Sequence, residues 1–163
     1  MLGVQKGPKP LFSYYRAEDK PAVLALHKLG LQSTGAWIDS GRWDEDLNNI
    51  EQAYTQNGVF LVGEINGNVV AMGALRRKTD NVGEIKRLRI SPEFQRMGFG
   101  QLIMTTLEQK ARELGYTKIV LDTTIKQIGA QTLFLKNGYR ETKREHVKTP
   151  NIDTELIYYE KDV

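Results

Sequence analysis

One stretch limits the fold of this chain more than any other: residues 83–114, GEIKRLRISPEFQRMGFGQLIMTTLEQKAREL. It reads as strand, turn, glycine loop and helix, and residues 118–123, KIVLDT, read as a further strand just after it. A helix joining two strands of one sheet crosses back over that sheet, so the two strands are expected to run parallel. Within the helix, Leu102, Ile103, Leu107, Ala111 and Leu114 recur at three- and four-residue steps and lay down one apolar stripe, which Gly115 closes. Within the first strand the alternation breaks phase, because Ile85 is odd whereas Leu88 and Ile90 are even. A β-bulge near residues 86–88 would repair the phase, and bulges often re-aim backbone groups beside active sites.

The turn Ser91-Pro92-Glu93-Phe94 suits type I geometry, with Ser first and Pro second. The loop Gln95-Arg96-Met97-Gly98-Phe99-Gly100 then opens the helix. Two glycines there let successive N–H groups turn to one point, where the unpaired first-turn donors and the helix dipole favour an anion. Arg96 adds a full charge. A tight turn with no ligand would show the same glycines. Two nucleotide motifs are excluded: a Walker A loop needs GK[ST], and a dinucleotide fingerprint needs a third glycine where Ile103 stands.

What remains, Gln-Arg-x-Gly-x-Gly after a strand and before a helix, resembles the acetyl-CoA pyrophosphate loop of the GNAT superfamily of N-acetyltransferases. The resemblance extends downstream to Gln127, Ala130, Leu133, Phe134, Gly138 and Tyr139, at the spacings of the family's Asn-x-x-Ala-x-x-Leu-Tyr-x-x-x-Gly-Phe pattern, and upstream to Glu84, at a recurring catalytic position. It covers about residues 11–160. It implies an α+β fold with a mixed sheet: antiparallel first strands, a central parallel pair with a splay, and helices on both faces. The pyrophosphate would bind Gln95, Arg96, Met97, Gly98, Phe99 and Gly100, and the pantetheine arm would run along Leu88, Arg89 and Ile90 into the splay. Gln127 and Phe134 would also touch the cofactor. The resemblance makes Glu84 the general base that frees an amine for direct attack, while a strand N–H from Leu88 would meet the thioester carbonyl. An alkylammonium of pKa about 10.4 is neutral in only about one molecule in a thousand at pH 7, so such a base is needed. Two positions depart from the pattern. Phe134 replaces a tyrosine that could protonate the departing thiolate, with Tyr139 and Tyr158 as substitutes, and Gln127 replaces an Asn.

The rest of the chain is read around that unit. Residues 1–10 are rich in Gly, Lys and Pro and read as a flexible tail, leaving 11–163 as one domain. A strand is expected over 11–16. A helix follows, capped by Asp19, with Val23, Leu24, His27 and Leu31 on one face and His27 at the edge of the core, without a partner carboxylate in sequence. Residues 32–54 hold Trp37, Trp43 and an excess of acids, and are expected to wall the acceptor site, attracting a cationic amine by charge and by cation–π contact. Asn66-Gly67-Asn68 joins strands 59–65 and 69–76 as a hairpin. Further strands are expected over 139–146 and 155–160, and a helix over 128–136.

Composition narrows the chemistry. The net charge of +3 argues against nucleic-acid binding, and Arg76, Arg77 and Lys78 read as a solvated strand face. With no cysteine there is no disulfide, thiolate zinc site or cysteine nucleophile, and no metal is expected. No apolar run suggests a membrane span, which points to the cytoplasm. Acetyl-CoA and a primary amine of a small molecule or peptide are the expected partners, and a homodimer is left open. A non-catalytic acyl-CoA-binding module is the alternative that Phe134 keeps open.

Overall fold

A strand interrupted by a phase break, followed by a crossover helix, needs a sheet buried on both sides. The computed structural model, which describes residues 7–37 and 44–163, has one. The first six residues of the expected tail and Trp43 lie outside the described residues. Strands β1 (Leu11–Tyr14), β2 (Val59–Ile65), β3 (Asn68–Arg77), β4 (Val82–Ile90), β5 (Lys118–Thr124), β6 (Arg140–Thr149) and β7 (Ile152–Asp162) form a seven-stranded sheet. Its order is β1-β2-β3-β4-β5-β7-β6. Neighbours are antiparallel except β4 and β5, the pair flanking the crossover helix.

That parallel pair is short. It joins Val82 to Lys118, Gly83 to Ile119 and Glu84 to Val120. Past Glu84 the two strands continue to Ile90 and Thr124 without pairing, so the sheet splays at its centre. This is the mixed sheet with a splayed parallel pair that the resemblance implies.

Helices α1 (Lys20–Ser33), α2 (Glu45–Asn48) and α3 (Ile50–Tyr54) cover one face, where Val23, Leu47, Ile50 and Tyr54 pack on Val62 and Met72. Helices α4 (Phe99–Glu113) and α5 (Ile128–Lys136) cover the other, where Ile103, Leu107 and Phe134 pack with Ile85, Ile119 and Ile157. Gly73 of β3 lets α4 lie close, since a Cβ there would stand 2.5 Å from Ile103 Cγ2. Among the described residues, no helix is long and apolar enough to cross a membrane.

Several local expectations shift. The buried stripe of α4 is Ile103, Met104, Leu107 and Ala111, while Leu102 and Leu114 are 49% and 42% exposed. A stripe built on four-residue steps from Ile103 admits Met104 as its neighbour and turns Leu102 outward. Asp19 stands at the N-cap position of α1, with Pro21 in the first turn, but its side chain makes no cap hydrogen bond to the helix. Its carboxylate accepts the Arg16 N–H at 2.8 Å, closing a 3-10 turn that precedes the helix. β1 stops at Tyr14, although Tyr15 N–H still donates to the Phe60 carbonyl at 2.8 Å. β6 and β7 are longer than expected, because β6 is a largely exposed, polar edge strand with no apolar alternation to mark its ends.

Candidate functional site

The phase break in β4 is a bulge. Met72 pairs with Arg89 and Ala74 with Lys86, so Gly73 alone faces Arg87 and Leu88. Arg87 takes the extra-residue conformation, with φ of 59°. The result sorts the strand. Ile85, Leu88 and Ile90 all join the core beneath α4, while Glu84, Lys86, Arg87 and Arg89 fall to the face of α1, α2 and α3. Arg89 lies along α1, where a Cβ on Gly30 would come within 3.0 Å of its Cδ. Arg87 reaches α2, donating from Nε to Asp46 at 2.9 Å and from a terminal nitrogen to Asp44 at 3.2 Å.

At the splay lies a cavity of about 400 Å³. It is lined from both sides of the sheet: by Gln127, Ala130 and Phe134 of the α5 side, and by His27 and Leu31 of α1. Its floor carries Glu84, Lys86, Leu88 and Arg89 of β4, Asp122 and Thr124 of β5, and Leu156 and Tyr158 of β7. The gap between the parallel strands thus connects the face that holds the glycine loop's helix with the face that holds the charged side chains.

Glu84 is 6% exposed and accepts a hydrogen bond from Arg76 Nε at 2.8 Å, with Lys78 Nζ at 3.8 Å. Arg76 and Lys78 therefore line the cavity, and the expectation of a solvated face fails at half-buried Arg76, while Arg77 and Lys78 are exposed as expected. The register explains it: Arg76 is the residue directly across from Glu84. Asp122, also on the floor, has a carboxyl raised above the usual range, chiefly because the concave wall desolvates it, with Glu84 adding repulsion and Lys86 opposing.

Asp44 and Asp46 of the acidic segment are not free anions. Burial would push the Asp46 carboxyl up, but the Arg87 hydrogen bond and charge and the Tyr54 hydroxyl bring it down to about 2. Asp44 accepts from Arg87 and from His27 Nε2, the latter at 3.1 Å. His27, 2% exposed, is thus a buried wall residue with a carboxylate partner, contrary to the core-edge reading. Burial lowers its pKa, against the Asp44 bond, and its Nδ1 has no hydrogen-bond partner. Trp37 packs edge-on against His27, with ring centres 6.1 Å apart and Lys28 above its ring, one layer behind the wall.

The glycine loop follows a 3-10 turn over Pro92–Phe94 and opens α4. Gln95, Arg96, Met97 and Gly98 are exposed, and Gln95 Nε2 donates to the Ile90 carbonyl at 3.3 Å. Arg96 and Gly98 have φ of 62° and 85°, and Gly98 is the residue from which α4 starts. Among the described residues, the N–H groups of Arg96, Met97 and Gly98 donate to no carbonyl, and those of Phe99 and Gly100 are first-turn donors with no intrahelical acceptor. Phe99 is buried and stacks on Phe94 at 6.1 Å, which fixes the loop's exit. Gly100 admits α5: a Cβ would meet Leu133 Cδ2 at 3.1 Å.

The remaining expected contacts divide. Gln127 is fixed by Thr123 Oγ1, which donates to its side-chain oxygen at 2.7 Å. Phe134 meets Tyr159 edge-on at 5.6 Å and is 4% exposed. Tyr139 faces away from the cavity and donates to buried Glu108 at 3.2 Å. Tyr158 is in the wall and donates to Glu145 at 3.1 Å; burial first, then that bond, pushes its hydroxyl up to about 12.

Comparison with known proteins agrees with this geometry. Residues 22–139 match the Acetyltransferase (GNAT) family. The chain is 31% identical to N-acetyltransferase 8 of Rattus norvegicus over 123 residues, 70% of this chain and 55% of that protein. It is 27% identical to the "Probable N-acetyltransferase camello" of Xenopus tropicalis over 128 residues, 76% of this chain and 58% of that protein. The chain thus spans about half the length of these curated relatives. In fold it is similar to an acetyltransferase of GNAT family from Staphylococcus aureus Mu50, with TM-score 0.81 and 23% identity over 94% of this chain and 98% of that one. It is also similar to yncA of Salmonella typhimurium, solved with its cofactor acetyl-CoA, with TM-score 0.75 and 18% identity over 94% of each chain.

Proposed function

Because the chain belongs to the GNAT acetyltransferase family, we propose that it moves an acetyl group from acetyl-CoA to a primary amine by direct attack, with Glu84 as general base. The observation that carries this reading is the cavity at the splay, which runs from Gln127, Ala130 and Phe134 beside α5 to the buried carboxylate of Glu84 on the other side of the sheet, while a loop of unpaired N–H donors opens α4 on the α5 side. The residues present fit the cofactor. Gly98 in the left-handed region and the free N–H groups of Arg96 to Gly98 suit a pyrophosphate, and Arg96 adds charge. Leu88 and Arg89 on the floor, and Gln127 and Phe134 opposite, would flank the pantetheine arm.

Acetyl-CoA supplies an acetyl thioester. The amine nitrogen forms a bond to its carbonyl carbon, the carbon–sulfur bond breaks, and the sulfur leaves as a thiolate. Glu84 takes the proton that the nitrogen sheds, directly or through a water, while Arg76 holds the carboxylate in place. The Leu88 N–H is assigned to the carbonyl oxygen as charge develops there. Phe134 has no proton to give.

The test is a pair of measurements on one sample. Acetyl-CoA should raise the melting temperature, because a ligand that binds only the native state stabilises it. Thiol release above the hydrolysis background should appear with members of an amine panel. Thermal protection without thiol release from any amine would favour an acyl-CoA-binding module instead. No protection at all would remove the cofactor assignment.

A further inference from the structure

We propose that the acceptor amine also carries an anionic group, such as a carboxylate, and that Lys86 seats that group. The proposal rests on the transferase reading and narrows it.

Among the described residues, five ammonium or guanidinium groups line the cavity against three carboxylates. Pairing uses most of them. Glu84 is held by Arg76 and Lys78, and Asp44 by Arg87 and His27. What is left is Asp122 against Lys86 and Arg89. Neither of these two cations has a carboxylate within ion-pair distance among the described residues. Arg89 donates to the Leu88 carbonyl at 2.8 Å, and its Nε is buried without a partner. Lys86 is half-buried on the cavity floor, and its pKa is lowered, first by that burial, against the attraction of Glu84 and with repulsion from Arg87 and Arg76.

A half-buried charge that only more distant carboxylates attract, with no contact ion pair, is costly, and a ligand of opposite sign reduces the cost. The phosphates of coenzyme A do not meet this need. Their loop opens α4, which packs on the Ile85, Leu88 and Ile90 side of the strand, whereas alternation with Ile85 puts Lys86 on the opposite side. Position fits a small bifunctional ligand. Glu84 and Lys86 are two residues apart on one strand face, about 6–7 Å along the strand. An amine presented to Glu84 and an anion presented to Lys86 are then parts of one molecule. The cationic acceptor expected from the acidic segment is disfavoured for the same reason, since Asp44 and Asp46 are already held by Arg87.

The experiment compares amines in pairs that differ only by a carboxylate: phenylalanine with phenethylamine, lysine with cadaverine, glutamate with 4-aminobutyrate. Binding is measured by calorimetry with coenzyme A present, and kcat/KM by thiol release. In at least one pair the member with the extra carboxylate should bind roughly 10- to 100-fold more tightly. Lys86→Met should collapse that ratio towards one, and Lys86→Arg should keep most of it. Retained acetyl-CoA thermal protection shows that each variant is folded; if Lys86→Met is not, Lys86→Gln replaces it. The proposal is overturned if no added carboxylate improves binding in any pair, or if Lys86→Met leaves the ratio intact. Failure of the transferase reading looks different: a Lys86-dependent preference in calorimetry with no thiol released would keep the anion subsite and remove the reaction.

Discussion

Glu84 and Phe134 face the same cavity with opposite capacities, one able to take a proton and one unable to give one. Glu84→Gln keeps the shape and removes the base, so turnover should fall by roughly 10²–10⁴ at neutral pH with acetyl-CoA binding retained. The deficit should shrink at high pH, where the amine becomes neutral unaided. A pH-independent deficit would mean that Glu84 serves only to hold Arg76. On the leaving-group side, magnitudes decide. A thiol has pKa near 8.5, whereas the Tyr158 hydroxyl is pushed up to about 12, so proton transfer from Tyr158 to the thiolate runs uphill. Tyr158→Phe should therefore lower kcat by less than about tenfold, and Phe134→Tyr should raise it little. A large effect of either would show that sulfur departure limits the rate. Glu84, Gln127 and Phe134 were legible because spacing from the glycine loop marks them. The His27 and Asp44 pair was not. Its members are 17 residues apart and meet only because Arg87 holds α2 against the cavity. A periodicity argument cannot see a contact between two elements.

The bulge in β4 is the element on which the site turns. Its existence was readable from the phase break between Ile85 and Leu88, since three apolar residues on one face demand an extra residue. Its anchor was not readable, because nothing local connects Arg87 to Asp46, 41 residues earlier. Both partners are largely buried, with side chains 8% and 7% exposed, and breaking such a pair leaves a buried charge alone. Asp46→Asn should cost roughly 3 kcal/mol in urea unfolding at neutral pH. The sign of its pH dependence follows from a carboxyl lowered from 3.8 to about 2 by the folded state. Its contribution is fully present above the ordinary value and is lost as pH falls through the folded one, so the gap between wild type and variant should narrow from about pH 4 downward. A gap constant down to pH 2 would mean the pair adds nothing electrostatic. The glycine loop makes a separate test. Gly98 has open space around it but φ of 85°, so its need is conformational. Gly98→Val should abolish the acetyl-CoA thermal shift in a folded protein, and an unchanged shift would displace the phosphate from this loop.

Across the whole molecule, the sheet is two parts sharing a narrow seam. Strands β1 to β4 form one part and β5, β7 and β6 the other, joined directly by three paired positions between β4 and β5 and by the passage of α4. The pairing of β2 with β3 and of β4 with β5 was legible, from a hairpin signal and a crossover helix, whereas the placing of β7 between β5 and β6 was not. The splay was expected only through the resemblance, and the point where it begins was not legible, because no residue type records where two parallel strands stop pairing. An unpaired gap at the centre of a sheet leaves backbone groups that neither strand satisfies, and these are the places where a protein opens locally at low cost. An acyl-pantetheine arm laid in the gap would give those groups partners and tie the two parts together. At a ligand concentration 100-fold above the dissociation constant, the native state gains about 2.7 kcal/mol. In hydrogen exchange, that gain should appear first as slowed exchange at residues 85–90 and 121–124, with little change in the β2 and β3 hairpin away from the seam. Uniform slowing over every strand would instead indicate that only global unfolding exposes these amides. Protection confined to the glycine loop would place the phosphates where they are proposed and leave the arm outside the gap.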